Sequence, residues 1–376
     1  MNKYWFYKVG LVVVFLCFAL LGGAKVKLPT LVSDGMVLQR GEPVNIWGTA
    51  DPDETVDITF LKKKYKTVAD VQGNWKVTLP ILKAGGPYTM AINDIELKDI
   101  LIGDVWVCSG QSNMELPVSR VTDRFRDEIS TDSNYSMVRY IKTPLLYNFH
   151  APQADIPGIS WQAMTPENVM PFSALAYFFA KDVYQKTKVP VGIINSSVGG
   201  SPVEAWISEG GLKPFPFYLN EKRIYESDDL MESMKKEERK KSHAWNVALF
   251  QGDKGMHEAT PWYAADYDDS NWTETDLFTS GWATNGLNTV NGSHWFRKDF
   301  QVSAQQAGEK ATLRLGCIVD ADSVYVNGTF VGTVSYQYPP RIYTIPAGLL
   351  KAGKNTITIR LFSYGGRPQF VKEKPY

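Results

Sequence analysis

The chain has 376 residues, 44% of them hydrophobic, which is enough for two or three cores at roughly 100 to 200 residues per domain. Forty Lys plus Arg balance 40 Asp plus Glu, so the formal charge is zero and no basic field draws nucleic acid or an anionic membrane. Three cysteines exclude a disulfide scaffold.

At the N-terminus Lys3 and Lys8 precede an apolar run over 11–21 that is followed by Gly22, Gly23 and Ala24. This reads as a secretory signal peptide over 1–24. The run is too short for a spanning anchor, and bulky Leu16 before Cys17 argues against lipid attachment. Cleavage after Ala24 removes two lysines and no acids. The expected product is faintly acidic and exported to periplasm, cell surface or medium, with no membrane contact of its own.

Over 25–99, strand candidates at 44–47, 55–60, 75–79 and 88–92 are separated by Asp-Pro, Gln-Gly-Asn and Gly-Gly-Pro. That spacing predicts an N-terminal β-sandwich. It carries no candidate catalytic set, so its expected role is packing and presentation.

The texture changes over 100–243. Strand candidates at 100–108, 137–141 and 189–194 alternate with a helix capped by Ser173, whose Leu175, Phe178, Phe179 and Val183 recur at helical spacing. Strands alternating with helices predict a parallel α/β sheet. Gly110-Gln111-Ser112-Asn113-Met114 follows the apolar run Val105-Trp106-Val107-Cys108 without a gap, which puts Ser112 at a strand's carboxyl end, where open α/β sheets gather their chemistry. Ser and Asn also serve as turn and N-cap residues, so from local sequence a nucleophile and a structural turn both stand. A second polar, Gly-rich turn follows the third strand: Asn195-Ser196-Ser197-Val198-Gly199-Gly200-Ser201-Pro202. Its glycines either point N–H groups at a developing oxyanion or serve only the turn.

The run over 235–241 alternates charge and reads as a solvated helix face. Over 244–365, strands at 294–302, 310–315, 323–326 and 355–362, with a Val326-Asn327-Gly328 hairpin, predict a second β-sandwich. Asp266, Asp268, Asp269, Asp320 and Asp322 are either calcium ligands or turn residues, and the Trp and Tyr side chains either platforms for sugar rings or core. Cys108 and Cys317 read as buried thiols. No zinc-site spacing or phosphate loop occurs, so neither a metal nor an organic cofactor is expected.

With both turns in view, the chain resembles the sialate O-acetylesterases, a family of SGNH-type hydrolases, from Lys27 onward. The nucleophile block is matched by Gly103-Asp104-Val105-Trp106-Val107-Cys108-Ser109-Gly110-Gln111-Ser112-Asn113-Met114-Glu115, and the second block by Val198-Gly199-Gly200-Ser201-Pro202-Val203-Glu204-Ala205-Trp206-Ile207-Ser208. The resemblance implies a partial SGNH-like α/β domain over 100–243, interrupted over 244–365 by a sandwich similar to galactose-binding domains. Asp268-Asp269-Ser270-Asn271-Trp272 and Val324-Tyr325-Val326-Asn327-Gly328 look like parts of that sandwich, and 366–376 would begin the return to the catalytic domain.

It further implies that Ser112 attacks an O-acetyl group of a sialic acid or related glycan and passes through an acetyl-serine that water hydrolyses. The Ser112 N–H and the Gly199 N–H would hold the oxyanion, with Gln111, Asn113 and Gly200 in support. Acetylated xylan or pectin as substrate, and a non-catalytic glycan-binding protein, are the alternatives.

The family's later Gln-Gly-Glu-Ser-Asn and Asp-x-x-His blocks do not occur. His150, His243, His257 and His294 are preceded at the third position by Tyr147, Lys240, Lys254 and Asn291, so none forms Asp-x-x-His. A serine needs a base within hydrogen-bond reach to be a useful nucleophile near neutral pH. The expectation is therefore a truncated frame or fragment with no general base, a bare sheet edge and little turnover.

Overall fold

The computed structural model describes residues 26–130, 135–278, 291–365 and 368–372. The expected signal peptide over 1–24 lies outside the described residues, as does most of 366–376. None of the described helices is long and apolar enough to cross a membrane. The chain forms two compact units that divide between Ser227 and Asp228.

The first unit begins with strands of period two. β1 (Val37–Gln39), β2 (Val44–Thr49), β3 (Thr55–Phe60), β4 (Lys63–Val68), β5 (Asn74–Leu79) and β6 (Gly85–Ile92) follow one another closely. On β3, Val56, Ile58 and Phe60 are buried while Asp57 and Thr59 face out; on β5, Trp75, Val77 and Leu79 are buried between exposed Lys76 and Thr78. This alternation follows from side chains pointing to opposite faces at successive positions. β2 pairs with β5, and β4-β3-β6 form a second antiparallel array. The inward residues of both, with Ile46, Met90, Ile92, Ile100 and Ile102, form one core. Each such side chain contributes about 1.5–3 kcal/mol of hydrophobic stabilisation.

β7 (Ile95–Gly110) is the strand on which the unit turns. Its first half pairs antiparallel with β6 and parallel with β1. From Asp104 to Gly110 it pairs parallel with β10 (Val191–Ser197), which pairs parallel with β8 (Tyr135–Lys142); β9 (Gln162–Met164) adds antiparallel at the rim. One continuous strand therefore belongs to the antiparallel array and then to the parallel sheet. Among the described residues no strand pairs with the other edge of β7 beyond Gly103, where Trp106 and Val107 are exposed.

Short helix α1 (Ser112–Glu115) follows β7, and α2 (Arg126–Ser130) precedes β8. The crossover into β10 is α3 (Ala174–Thr187), which is N-capped as its sequence predicts: Ser173 Oγ accepts from the Ala176 N–H at 3.2 Å. The packed face differs from the expected one. Ala174, Ala176, Tyr177 and Ala180 are buried, Phe178 and Val183 are partly so, and Leu175 and Phe179 are largely exposed. Small side chains let the helix lie close to the sheet, so the larger apolar residues are turned aside; Phe179 meets Trp106 edge-on, ring centres 5.1 Å apart. The unit closes with α4 (Glu209–Leu212) and α5 (Pro216–Tyr225).

The second unit opens on α6 (Asp228–Gln251), whose charged run is exposed as the sequence predicts, and α7 (Lys254–His257). Its main sheet is antiparallel, in the order β11 (Gly292–Val302), β17 (Gly353–Ser363), β14 (Ala321–Val326), β15 (Thr329–Val334). Smaller pairs are β12 (Ala311–Arg314) with β16 (Ile342–Ile345), and β13 (Ile318–Val319) with β18 (Gln369–Phe370). Asn327 and Gly328 both have positive φ in the β14–β15 hairpin, as the Asn-Gly pair predicts.

Two buried arginines clamp the segment that follows α6. Arg360 Nε donates to Asp253 at 2.6 Å, and Arg297 Nε to Asp269 at 2.8 Å. A third pair, Arg341 with Asp322, is fully buried, and the Tyr343 hydroxyl also donates to Asp322. Burial pushes the Asp322 carboxyl up against those stabilising partners. Two of the acids considered as calcium ligands are thus the counter-ions of arginines. Asp320 accepts from the N–H groups of Tyr364 and Gly365. Among the described residues no group of three or more metal-ligating side chains forms.

Candidate active site

Ser112 opens α1 directly after β7 ends, so the strand's carboxyl end delivers it to the sheet's rim. Gly110 takes φ +143°, a conformation open to glycine, and makes the sharp exit from the strand. Ser112, Asn113, Gly199 and Gly200 are all exposed to solvent. The Ser112 N–H, at the start of α1, has no partner within the helix.

The helix is fixed from behind by the N-terminus of α3. The Ala174 N–H donates to the Leu116 carbonyl at 2.8 Å, the Val118 N–H to the Phe172 carbonyl at 2.8 Å, and the Ser173 hydroxyl lies 3.7 Å from Met114 Sδ. The Ser173 N–H in turn donates to the Tyr140 hydroxyl at 3.0 Å, and the Tyr140 ring stacks on Phe172. Burial pushes the Tyr140 phenol up to about 12, so it stays neutral. Cys108, on β7 just before the turn into α1, is buried, and burial raises its thiol. Both Cys108 and Cys317 are buried free thiols, as the sequence predicts.

The second glycine-rich turn comes to the same place because β10 lies beside β7 in register, with Ser197 opposite Gly110. The turn is tied to the Gly110–Glu115 segment at three points. The Val198 N–H donates to the Gly110 carbonyl at 3.0 Å, the Gly199 N–H to Glu115 Oε2 at 2.6 Å, and Gln111 Nε2 to the Ser201 carbonyl. Ser201 Oγ returns a bond to the Val198 carbonyl at 2.7 Å and accepts from Trp206 Nε1 at 2.9 Å. Below the turn, buried Asn195 donates to the Cys108 carbonyl at 3.2 Å and accepts from the Ser197 hydroxyl at 3.0 Å.

Gly199 and Ser112 face each other across a small gap. A Cβ on Gly199 would fall 3.4 Å from Ser112 Oγ and 2.7 Å from Glu115 Oε2, so a side chain there would need the Glu115 carboxylate to shift. Gly200 has φ +77° and open space around it. The two turns singled out in the sequence are thus brought together, with Gln111 as a direct tie, while Asn113 projects from the exposed side of α1. Glu115 was not singled out. It stands three residues after Ser112, the spacing that puts two side chains on one helix face, and that was its available signal.

The four histidines are divided between the two units. His150 is exposed on a loop of the first, where its N–H donates to the Asn148 side chain at 2.8 Å. His243, His257 and His294 belong to the second, and His257 Nε2 lies 2.8 Å from the Phe250 carbonyl.

Residues 102–270, which include Ser112 and Gly199, match the family model described as carbohydrate esterase, sialic acid-specific acetylesterase. The chain is 33% identical over 213 residues to the sialate O-acetylesterase of Homo sapiens, covering 51% of this chain and 40% of that one. It is 31% identical over 230 residues to that of Rattus norvegicus, covering 54% and 42%. Among solved structures, a carbohydrate acetylesterase from Xanthomonas citri aligns at 39% identity over 50% of this chain and 43% of that one, with a TM-score of 0.47. The chain spans about two fifths of the length of the curated relatives it matches. Over residues 102–270, the chain is similar to the sialic acid-specific acetylesterases among the carbohydrate esterases.

Proposed function

We propose that the first unit carries the acyl-transfer half of a carbohydrate O-acetylesterase, with Ser112 as nucleophile. The observation that carries this is the meeting of Ser112 Oγ with Gly199 at the carboxyl ends of adjacent parallel strands, the two glycine turns being bonded to each other. Ser112 attacks the acetyl carbonyl. The oxygen becomes an oxyanion that accepts from the Ser112 and Gly199 N–H groups, and collapse leaves acetyl-Ser112 and the sugar alcohol. Donors of this kind are each worth roughly 3 kcal/mol of barrier. The relatives named for sialate O-acetylesterase activity favour an acetylated sialic acid as the substrate. The N-terminal segment favours export, and a galactose-binding-like role for the second unit follows the same resemblance.

Since the sequence holds no Asp-x-x-His, the chain alone turns over little, and its Ser112 is acylated when a base is supplied in solution. The test uses p-nitrophenyl acetate with the full chain and Ser112→Ala, each with and without imidazole. The expected result is near-equal hydrolysis without imidazole, and an acetyl adduct mapped to Ser112 by mass spectrometry with it. An adduct absent, or on another residue, overturns the assignment. Acetate release from O-acetylated sialic acid compared with acetylated xylan under the same conditions identifies the sugar.

A further inference from the structure

We propose that Glu115 is the positioning residue of this site: its carboxylate occupies the Gly199 N–H in the resting protein, holds that donor toward Ser112, and gives it up to the acyl oxygen. Three observations converge on this. Glu115 Oε2 accepts the Gly199 N–H at 2.6 Å, within the short range of charge-assisted bonds. The point where a Gly199 Cβ would fall lies 2.7 Å from that oxygen and 3.4 Å from Ser112 Oγ, so carboxylate and hydroxyl border the same gap. The neighbouring ties of the turn run to Gly110 and Gln111, so Glu115 supplies the middle of three bonds, the one made to the donor itself.

The chemistry sets the sign of what Glu115 does. A single N–H cannot serve a carboxylate and an oxyanion together, and two negative oxygens at one donor repel. Glu115 therefore must swing from Gly199 as the tetrahedral intermediate forms. Its contribution lies in the ground state, where it keeps a solvent-exposed glycine turn from wandering before the ester arrives. A neutral acceptor of the same length holds the turn equally well and leaves more easily. No acceptor, or one too short, leaves the turn loose.

The test compares the parent chain with Glu115→Gln, Glu115→Ala and Glu115→Asp. The first measurement is hydrogen exchange at the Gly199 amide, with the melting temperature as a control for folding. Glu115→Ala and Glu115→Asp are expected to raise Gly199 exchange about tenfold or more at an unchanged melting temperature, and Glu115→Gln to stay within about threefold of the parent. The second measurement, which rests on the esterase reading, is the imidazole-supported acylation rate of Ser112. Glu115→Gln is expected to match or exceed the parent, with Glu115→Ala and Glu115→Asp about tenfold slower.

Unchanged Gly199 exchange in Glu115→Ala overturns the proposal, and so does a Glu115→Gln variant as slow as Glu115→Ala, which would make the carboxylate a base. If the parent forms no Ser112 adduct, the esterase reading fails by itself, and the exchange data alone then decide whether Glu115 holds the turn.

Discussion

Gly103 lies so close to Pro190 that a Cβ on it would fall 1.9 Å from the Pro190 carbonyl oxygen, the same oxygen that accepts the Asp104 N–H at 2.9 Å. This contact seats β10 against β7 where β7 leaves the antiparallel array for the parallel sheet. Gly103→Ala cannot be accommodated by a side-chain shift, because the atom it meets is backbone. It is expected to destabilise the first unit by about 3 kcal/mol, read from the urea midpoint. A loss below about 1 kcal/mol would mean that the strands slide apart at little cost.

Tyr140 makes stability depend on alkaline pH. Burial holds its phenol up to about 12 against an ordinary 10. The folded chain therefore keeps a proton that the unfolded chain releases, so the contribution is complete below pH 10 and disappears as pH rises through 12. Its size is on the order of 3 kcal/mol. Denaturant unfolding at successive pH values is expected to show this loss in the parent and a shallower one in Tyr140→Phe. Parallel slopes would remove Tyr140 as the cause.

The β3–β4 hairpin turns on Leu61 and Lys62, both at positive φ, where a Cβ is disfavoured. Replacing the pair by Asn-Gly suits that backbone and is expected to stabilise the first unit by about 1 kcal/mol. Thermal unfolding reads it directly. An unchanged or lower Tm would show that the Leu61 side chain contributes more than its backbone costs.

In the second unit Asp253 accepts from Arg360 Nε, Trp295 Nε1 and the Gly255 N–H, and both members of its ion pair are buried. Asp253→Ala strands a buried guanidinium, one atom of which already has no partner among the described residues, and is expected to cost roughly 3 to 5 kcal/mol. Arg360→Met, which removes the charge but keeps an apolar body beside Phe362 and Trp295, is expected to cost less. The double variant Asp253→Ala/Arg360→Met is expected to cost less than the two single losses added together, and strict additivity would contradict an ion-pair origin.

Much of this was legible in the amino-acid order, and the exceptions share a physical reason. The strand over 55–60 was read to the residue because Val56, Ile58 and Phe60 alternate cleanly with polar neighbours. β4 was missed: Lys63-Lys64-Tyr65-Lys66-Thr67-Val68 buries no side chain fully, and Leu61-Lys62 is no turn signal. β7 was read from Ile100 because Asp99 has a positive φ and the strand's two halves answer to different partners. On α3 periodicity located the helix but not its packed face, since Ala176 and Ala180 carry little hydrophobic signal.

At the site the sequence placed Ser112 and the glycine turn at strand ends, and it did so through local pattern. What it could not reveal was the Glu115–Gly199 bond, because its partners lie far apart in the chain and meet only through the register of β7 with β10.

The shared strand Ile95–Gly110 has a consequence for how the first unit comes apart. Half of its hydrogen-bond ladder lies in the antiparallel array and half in the parallel sheet, so neither can melt without pulling on the other. The two are therefore expected to open as one cooperative unit, with the strands before Ile95 setting how often the strand that leads into Ser112 opens.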